Sequence, residues 1–394
     1  MMPPSSAGPG KFVLAVPYRT NYYNAYAQTL SRAGLLRFYA LGTRRGAPGV
    51  AAGQTRLNPW IGLWAYLAAR IVGGSGAESF RFRLLPWLDR WVLGQLTPGD
   101  HIISSYGYVN ECFQFVRRHG GKTFLEAGNA HIEGFWEVLS EEHRRWNYSA
   151  PPVSRFWYER SRAMLPHVDY VLSPSSHVSG SFLSRGFKPE QILYCPFPLD
   201  LSIFQPAGTA RPKGRPLTVI NTGSLSLRKG TPCLLEAFRL LRRRHPSARL
   251  LLTRIVQDDV KNILAGYRDL PIEWAPGLPH PELAERLRGA DVFVLPSLEE
   301  GLVRTALEAM ACGLQAVLTP NCGANDFVRP GVNGEVVPIR DPAATAEAIM
   351  KCFERVERGE TVDVSKLREE LSAERFAGRV LDHLSALGLR PFRD

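Results

Sequence analysis

Residues 291–313 read DVFVLPSLEEGLVRTALEAMACG, and this stretch decides the fold. An apolar run, 291–296, ends in Pro296–Ser297; a short loop carries Glu299, Glu300 and Gly301; a helical pattern begins near Arg304 and holds Glu308. A buried strand followed by a loop and a helix N-terminus is one unit of a parallel α/β sheet, and such folds place ligands at the carboxyl edge of their strands. The first helical turn offers unpaired backbone N–H groups and the positive end of the helix dipole, which together favour an anion such as a diphosphate. Gly301 lets a ligand approach the backbone closely.

Working outward, short β-branched or apolar runs alternate with longer helical patterns, the mark of βαβ units. In the first half these runs are 11–16 (KFVLAV), 101–104 (HIIS), 122–125 (KTFL) and 170–173 (YVLS). In the second they are 217–221 (LTVIN), 248–253 (ARLLLT), 291–296 and 315–319 (QAVLT). Two α/β domains follow, over 1–204 and 216–375, joined by a linker at 205–215 in the Pro- and Gly-rich FQPAGTARPKGRP region. The tail, 364–387, has apolar residues at helical spacing, and its last part, 376–394, reads as a helix packing back toward the first domain.

The chain has 394 residues, 45% hydrophobic and 22% charged, which excludes a fibrous or disordered protein and is long enough for two cores. Its net charge of +11 is uneven: 21 basic against 13 acidic residues, +8, in 1–200, and 27 against 24, +3, in 201–394. Such a field suits an anionic partner, although simple solubility accounts for it equally well. Six cysteines lie scattered without C-x-x-C or Cys/His spacing, so neither a disulfide framework nor a metal is expected. MMPPSSAGPG lacks the pattern of a secretory signal, and no run of about 18 apolar residues occurs, so a cytoplasmic protein is expected. No basic helix with interleaved aromatics suggests nucleic-acid binding.

Residues 60–93 stand apart, with four of the eight tryptophans and, counting Arg56, five arginines beside aliphatics. Two helices lying in a lipid headgroup layer would show this composition, and so would two helices buried against the first sheet.

P-S-x-x-E-G followed by L-E-A-M-A-C-G resembles the donor-site signature of the retaining GT-B glycosyltransferases of family four, in which two glutamates are separated by seven residues. The resemblance implies two Rossmann-like parallel-sheet domains facing a cleft, with Glu300 on the donor sugar, Glu308 on the nucleotide ribose, and the backbone of Gly301, Leu302 and Val303 facing the diphosphate. Residues 221–230 (NTGSLSLRKG) are similar to the family's G-R-x…K-G loop. Gly223 and Lys229 match, while Ser224 stands in place of the arginine and Arg228 is a substitute charge. Val303 likewise stands where the family has a second glycine. In the first domain, residues 126–146 (EAGNAHIEGFWEVLSEEHRRW) resemble a segment whose histidine, here His131, reaches toward the donor sugar. Glu141 and Glu142 read as helix partners of Arg144 or Arg145. The downstream 320–338 segment, the 277–283 loop and the Asp200…Phe204 hinge fit the family as well.

The resemblance thus implies metal-free transfer of a sugar, with retained configuration, from a UDP-, GDP- or ADP-linked donor and with no separate cofactor. The acceptor is expected to be a glycan or a lipid-linked molecule of cell-surface polysaccharide or glycolipid synthesis, met on an anionic membrane surface at the inner face. His131, Glu300 and Lys229 are the expected catalytic groups. Two rivals are an epimerase of sugar nucleotides on the same fold and, given Val303 and Ser224, a catalytically silent nucleotide-sugar-binding partner.

Overall fold

The computed structural model describes residues 10–71, 74–207, 211–212, 214–253, 255–275 and 277–389. Most of the MMPPSSAGPG start and parts of the expected linker and tail fall outside them. Seven strands, β1 (Phe12–Val16), β2 (Leu36–Leu41), β3 (Thr55–Leu57), β4 (His101–Ser105), β5 (Thr123–Glu126), β6 (Tyr170–Ser173) and β7 (Ile192–Tyr194), form the first sheet. Six more, β8 (Thr218–Asn221), β9 (Arg249–Thr253), β10 (Ile272–Ala275), β11 (Val292–Leu295), β12 (Gln315–Leu318) and β13 (Gly334–Val336), form the second.

The strand orders are β3-β2-β1-β4-β5-β6-β7 and β10-β9-β8-β11-β12-β13, every pairing parallel. Central strands such as FVLAV and VFVL are buried along their whole length because helices cover both faces, which is why they read as unbroken apolar runs. In each sheet the chain starts in the middle, runs to one edge, then returns to build the other. The reversal separates the loops after β1 and β4, and again those after β8 and β11, opening a crevice at the carboxyl ends. The fold is GT-B: two Rossmann-like domains whose carboxyl edges face one another.

The apolar tail is two helices rather than one. Ser365–Glu370 stops, and Ser372 opens Ala373–Ala386 by accepting the Arg375 N–H on its hydroxyl. Leu367 and Leu371 join the core of the second domain, whereas Phe376, Val380 and Leu384 join that of the first. Phe376 meets Tyr26 edge-on at 4.8 Å, and His383 bonds the Tyr194 carbonyl at 3.0 Å, so the two tail helices together bridge the domains.

Candidate active site

The loop after β8 is shaped by its own side chains. Asn221 accepts the Gly223 N–H at 2.9 Å and donates to the Val294 carbonyl of β11 at 2.7 Å, fixing the loop to the neighbouring strand. Ser226 accepts the Lys229 N–H. Gly230 then starts the helix Thr231–Arg244 at φ +66°, and a Cβ there would lie 1.9 Å from the Pro296 carbonyl, so only glycine fits. These constraints turn Arg228 and Lys229 onto the loop after β11.

There they meet Glu300. Lys229 Nζ lies 2.5 Å and an Arg228 guanidinium nitrogen 2.8 Å from the same oxygen, Oε1. The Arg228 guanidinium also donates to the Glu299 carbonyl at 3.0 Å. Burial raises the Glu300 pKa, but Arg228 and Lys229 outweigh it and hold the carboxyl below its usual range. Burial likewise lowers the Lys229 pKa, against the pull of Glu300. Glu300 is pinned through its backbone too: its N–H donates to the Asn321 carbonyl and its carbonyl accepts from Gly323. Ser224 is half-buried in the same loop and makes none of these contacts.

Past Glu300 the chain runs through Gly301, Leu302 and Val303 into the helix Arg304–Ala311. Leu302 is buried in the second domain's core. Val303, at the N-cap, has φ +41° and supplies no capping bond, so the first-turn N–H groups of this helix have no side-chain cap. A β-branched residue at positive φ is strained by about 1–3 kcal/mol. One turn on, Glu308 is buried and accepts from Arg304 at 3.3 Å; burial raises its pKa, with Arg304 and His280 opposing. The second-domain residues of the expected donor set thus lie on two adjacent loops and one helix N-terminus.

His131 does not join them. It caps the helix Ile132–Arg145, its Nδ1 accepting the Glu133 N–H, and its ring packs edge-on against Phe182 and Phe187. Burial, then Arg185, lowers its pKa to about 4. The helix start and the aromatic pair take up the ring, and among the described residues it makes no hydrogen bond to the donor loop.

Glu299, Asn129 and Ser175 bring the first domain to the donor loop instead, and sequence reasoning gave none of them a role. Asn129 Nδ2 and the Ala130 N–H donate to the two oxygens of Glu299 at 3.0 and 2.9 Å, and Ser175 donates to the Gly301 carbonyl at 2.6 Å. Burial raises the Glu299 pKa, Arg228 lowering it and Glu300 raising it further. A cavity of about 520 Å³ lies beside this contact, with Ala130, Glu141, Arg185, Leu298, Glu299 and Asn321 among its walls. Farther along the seam, Arg340 bonds Glu142 at 2.6 Å and reaches Glu141 at 3.2 Å. The intrahelical pairing expected of these glutamates survives only as a 3.9 Å approach of Arg145 to Glu142, because the interdomain arginine is better placed.

Residues 60–93 fold as three helices, Pro59–Ile71, Gly74–Arg83 and Leu85–Leu93, not two. Ile61, Leu85, Leu88 and Val92 are buried, while Trp60, Trp64 and Trp87 are 59%, 48% and 40% exposed. Among the described residues no helix is long and apolar enough to cross a membrane, and no three His, Cys, Asp or Glu side chains gather as metal ligands would.

The family model described as glycosyl transferases group 1 matches residues 216–355, the second domain. The chain is similar to the putative colanic acid biosynthesis glycosyltransferase WcaL of Salmonella typhimurium, 28% identical over 215 residues, 52% of each protein. It is also similar to the D-inositol 3-phosphate glycosyltransferase of Acidothermus cellulolyticus, 29% identical over 229 residues, 52% of this chain and 51% of the relative. The chain thus spans about half the length of the curated relatives it matches. Among solved structures, sucrose-phosphate synthase from Thermosynechococcus elongatus superposes with a TM-score of 0.67 at 19% identity, over 96% of this chain and 100% of that one. Anabaena HepE in complex with UDP-glucose gives 0.61 at 14%, over 95% and 99%. These likenesses run the length of the chain and show the GT-B fold; the family match is carried by the second domain.

Proposed function

We propose that this protein is a retaining glycosyltransferase that moves a hexosyl group from a UDP-, GDP- or ADP-sugar to a glycan or lipid-linked acceptor. The observation that carries this reading is the convergence of Lys229, Arg228 and Glu300 in front of the uncapped helix Arg304–Ala311, within the domain that matches group 1 glycosyl transferases. Two cations and a helix N-terminus suit a diphosphate, and buried donors fixed before the reaction stabilise charge on a departing diphosphate by several kcal/mol. With these charges in place, the leaving group needs neither a metal nor a separate cofactor. Glu300 then turns to hydroxyls of the sugar, and Glu308 to those of the ribose.

The epimerase alternative is less well supported, since the relatives are named glycosyltransferases. Synthesis of a cell-surface polysaccharide or glycolipid is the setting suggested by the colanic acid relative. The exposed tryptophans, together with Arg56, Arg70, Arg81, Arg83 and Arg90, all exposed, suit a protein held peripherally on the anionic inner face of a membrane. Thermal unfolding in the presence of UDP-, GDP- and ADP-sugars tests the donor. Ligand at about 100 times its dissociation constant adds about 2.7 kcal/mol, and protection by none of them would refute the reading.

A further inference from the structure

Glu126, the last residue of β5, is wholly buried, and among the described residues no cation forms an ion pair with it. The Tyr23 hydroxyl donates to its Oε2 at 2.8 Å, and Oε1 has no partner. Burial lifts its pKa to about 7, opposed only by hydrogen bonds from Tyr23 and Ser105. The carboxylates that hold this scaffold together are equipped differently. Asp89 takes the Glu111 and Cys112 N–H groups and Arg160, and Asp291 takes the Thr218 N–H with Arg211 and Arg215. A desolvated carboxyl with a spare oxygen costs the fold free energy, and such groups concentrate where a ligand is bound.

On one side Glu126 is faced by the backbone of Gly128. A Cβ on Gly128 would stand 3.8 and 3.9 Å from its two oxygens. The Gly128 carbonyl presses on Gly301, where a Cβ would lie 1.9 Å away, and the Gly301 carbonyl presses on Gly323, where the figure is 1.7 Å. Gly128 therefore touches both Glu126 and Gly301, the residue after Glu300, and Gly323 backs Gly301 from the second domain. Glu126 thus lies on the first-domain side of this seam, with Arg228, Lys229 and Glu300 on the second-domain side.

We infer that Glu126 binds a hydroxyl of the transferred sugar from the first-domain side and helps to set which sugar is accepted. The inference rests on the donor reading above. The chemistry differs across the seam: a diphosphate is drawn to the cations of the second domain and repelled by a carboxylate, whereas a carboxyl with a free oxygen pairs well with a sugar hydroxyl. Tyr23, bonded to the other oxygen, holds the group in place.

Calorimetry on the full chain tests this, using whichever nucleoside diphosphate and matching nucleotide sugar the thermal screen selects. Glu126→Met keeps the volume and removes the hydrogen bonds; Glu126→Gln keeps part of them. Both variants are expected to bind the bare nucleotide within twofold of the parent. The preference for nucleotide sugar over nucleotide is expected to fall about tenfold in Glu126→Met and less in Glu126→Gln. A purely structural role would shift the melting temperature and leave that preference alone, which would overturn the inference. If neither variant folds, Tyr23→Phe decides in their place: a reduced preference supports the assignment and an unchanged one overturns it. If the parent protein binds no nucleotide at all, the donor reading fails and takes this assignment with it.

Discussion

Lys229 Nζ sits 2.5 Å from Glu300 Oε1, the oxygen that Arg228 also holds, so the residue expected to meet the donor sugar is the counter-anion of both cations expected to meet the diphosphate. A diphosphate entering this site competes with Glu300 for its own binding charges. Glu300→Gln should therefore bind a bare nucleoside diphosphate about tenfold more tightly, the equivalent of about 1.4 kcal/mol, while transferring sugar far more slowly. Titration calorimetry paired with a transfer assay measures both. Weaker binding of the diphosphate by the variant would show that Glu300 is not its competitor.

Lys229 and Glu308 are expected to fail in different ways. Lys229→Ala should weaken nucleoside diphosphate roughly 10- to 100-fold and leave the free nucleoside unaffected, because only the phosphates meet the ammonium. Glu308→Ala should weaken both ligands by about the same factor, since its contact is with the ribose. Equal losses of nucleoside and diphosphate in Lys229→Ala would remove Lys229 from the phosphate site.

Val303 is held at φ +41° where the helix Arg304–Ala311 begins. Val303→Gly relieves backbone strain of about 1–3 kcal/mol but adds about 1 kcal/mol of unfolded-chain entropy. The expected net result is a stabilisation of about 1 kcal/mol in denaturant titrations, with diphosphate binding at least as tight. A destabilised variant would mean that the isopropyl group's packing outweighs the strain.

How far these features were legible depends on whether they are local in the chain. The central strands could be read because burial on both faces makes them unbroken apolar runs, and the 291–313 unit could be read because strand, loop and helix are consecutive. The apolar runs mark eight of the thirteen strands, and three of the five others lack a run for plain physical reasons. β2 carries a half-buried Arg37, and β3 and β10 are short edge strands, TRL and IEWA, whose exposed Arg56 and Glu273 break the pattern. In the site, Asn129 and Ser175 reach the donor loop only through tertiary structure, over sequence separations of more than 100 residues. His131 shows the opposite: a loop histidine after a strand suggests chemistry, yet local capping and the Phe182–Phe187 pair account for its place.

That capping role has a pH signature. In the unfolded chain His131 titrates near 6.5, and in the folded protein burial and Arg185 lower it to about 4. Between these values the unfolded chain binds a proton that the folded one refuses, so stability is lost as pH falls from 6.5 toward 4, by about 3 kcal/mol for this group at most. His131→Asn keeps a capping side chain and removes the titration. The parent should therefore lose more stability than the variant over that interval in chemical denaturation, and the variant should retain sugar transfer. Parallel pH profiles for the two proteins would contradict the buried neutral imidazole, and loss of transfer in a stably folded variant would return His131 to the reaction.

The helices Pro59–Ile71 and Leu85–Leu93 turn Trp60, Trp64 and Trp87 outward beside exposed arginines, in the half of the chain that carries +8. Each Lys or Arg near an anionic bilayer contributes about 1 kcal/mol, and the indoles add apolar burial at the headgroup level, so attachment should be reversible and weakened by salt. Sedimentation with anionic vesicles at low salt should carry the protein down, with most of it released at high salt and little bound to neutral vesicles. Replacing the three tryptophans by serine should abolish retention while leaving nucleotide-sugar protection intact, because the donor residues lie on the loops after β8 and β11. Absence of binding to anionic vesicles at low salt would remove the membrane from the proposal without touching the donor site.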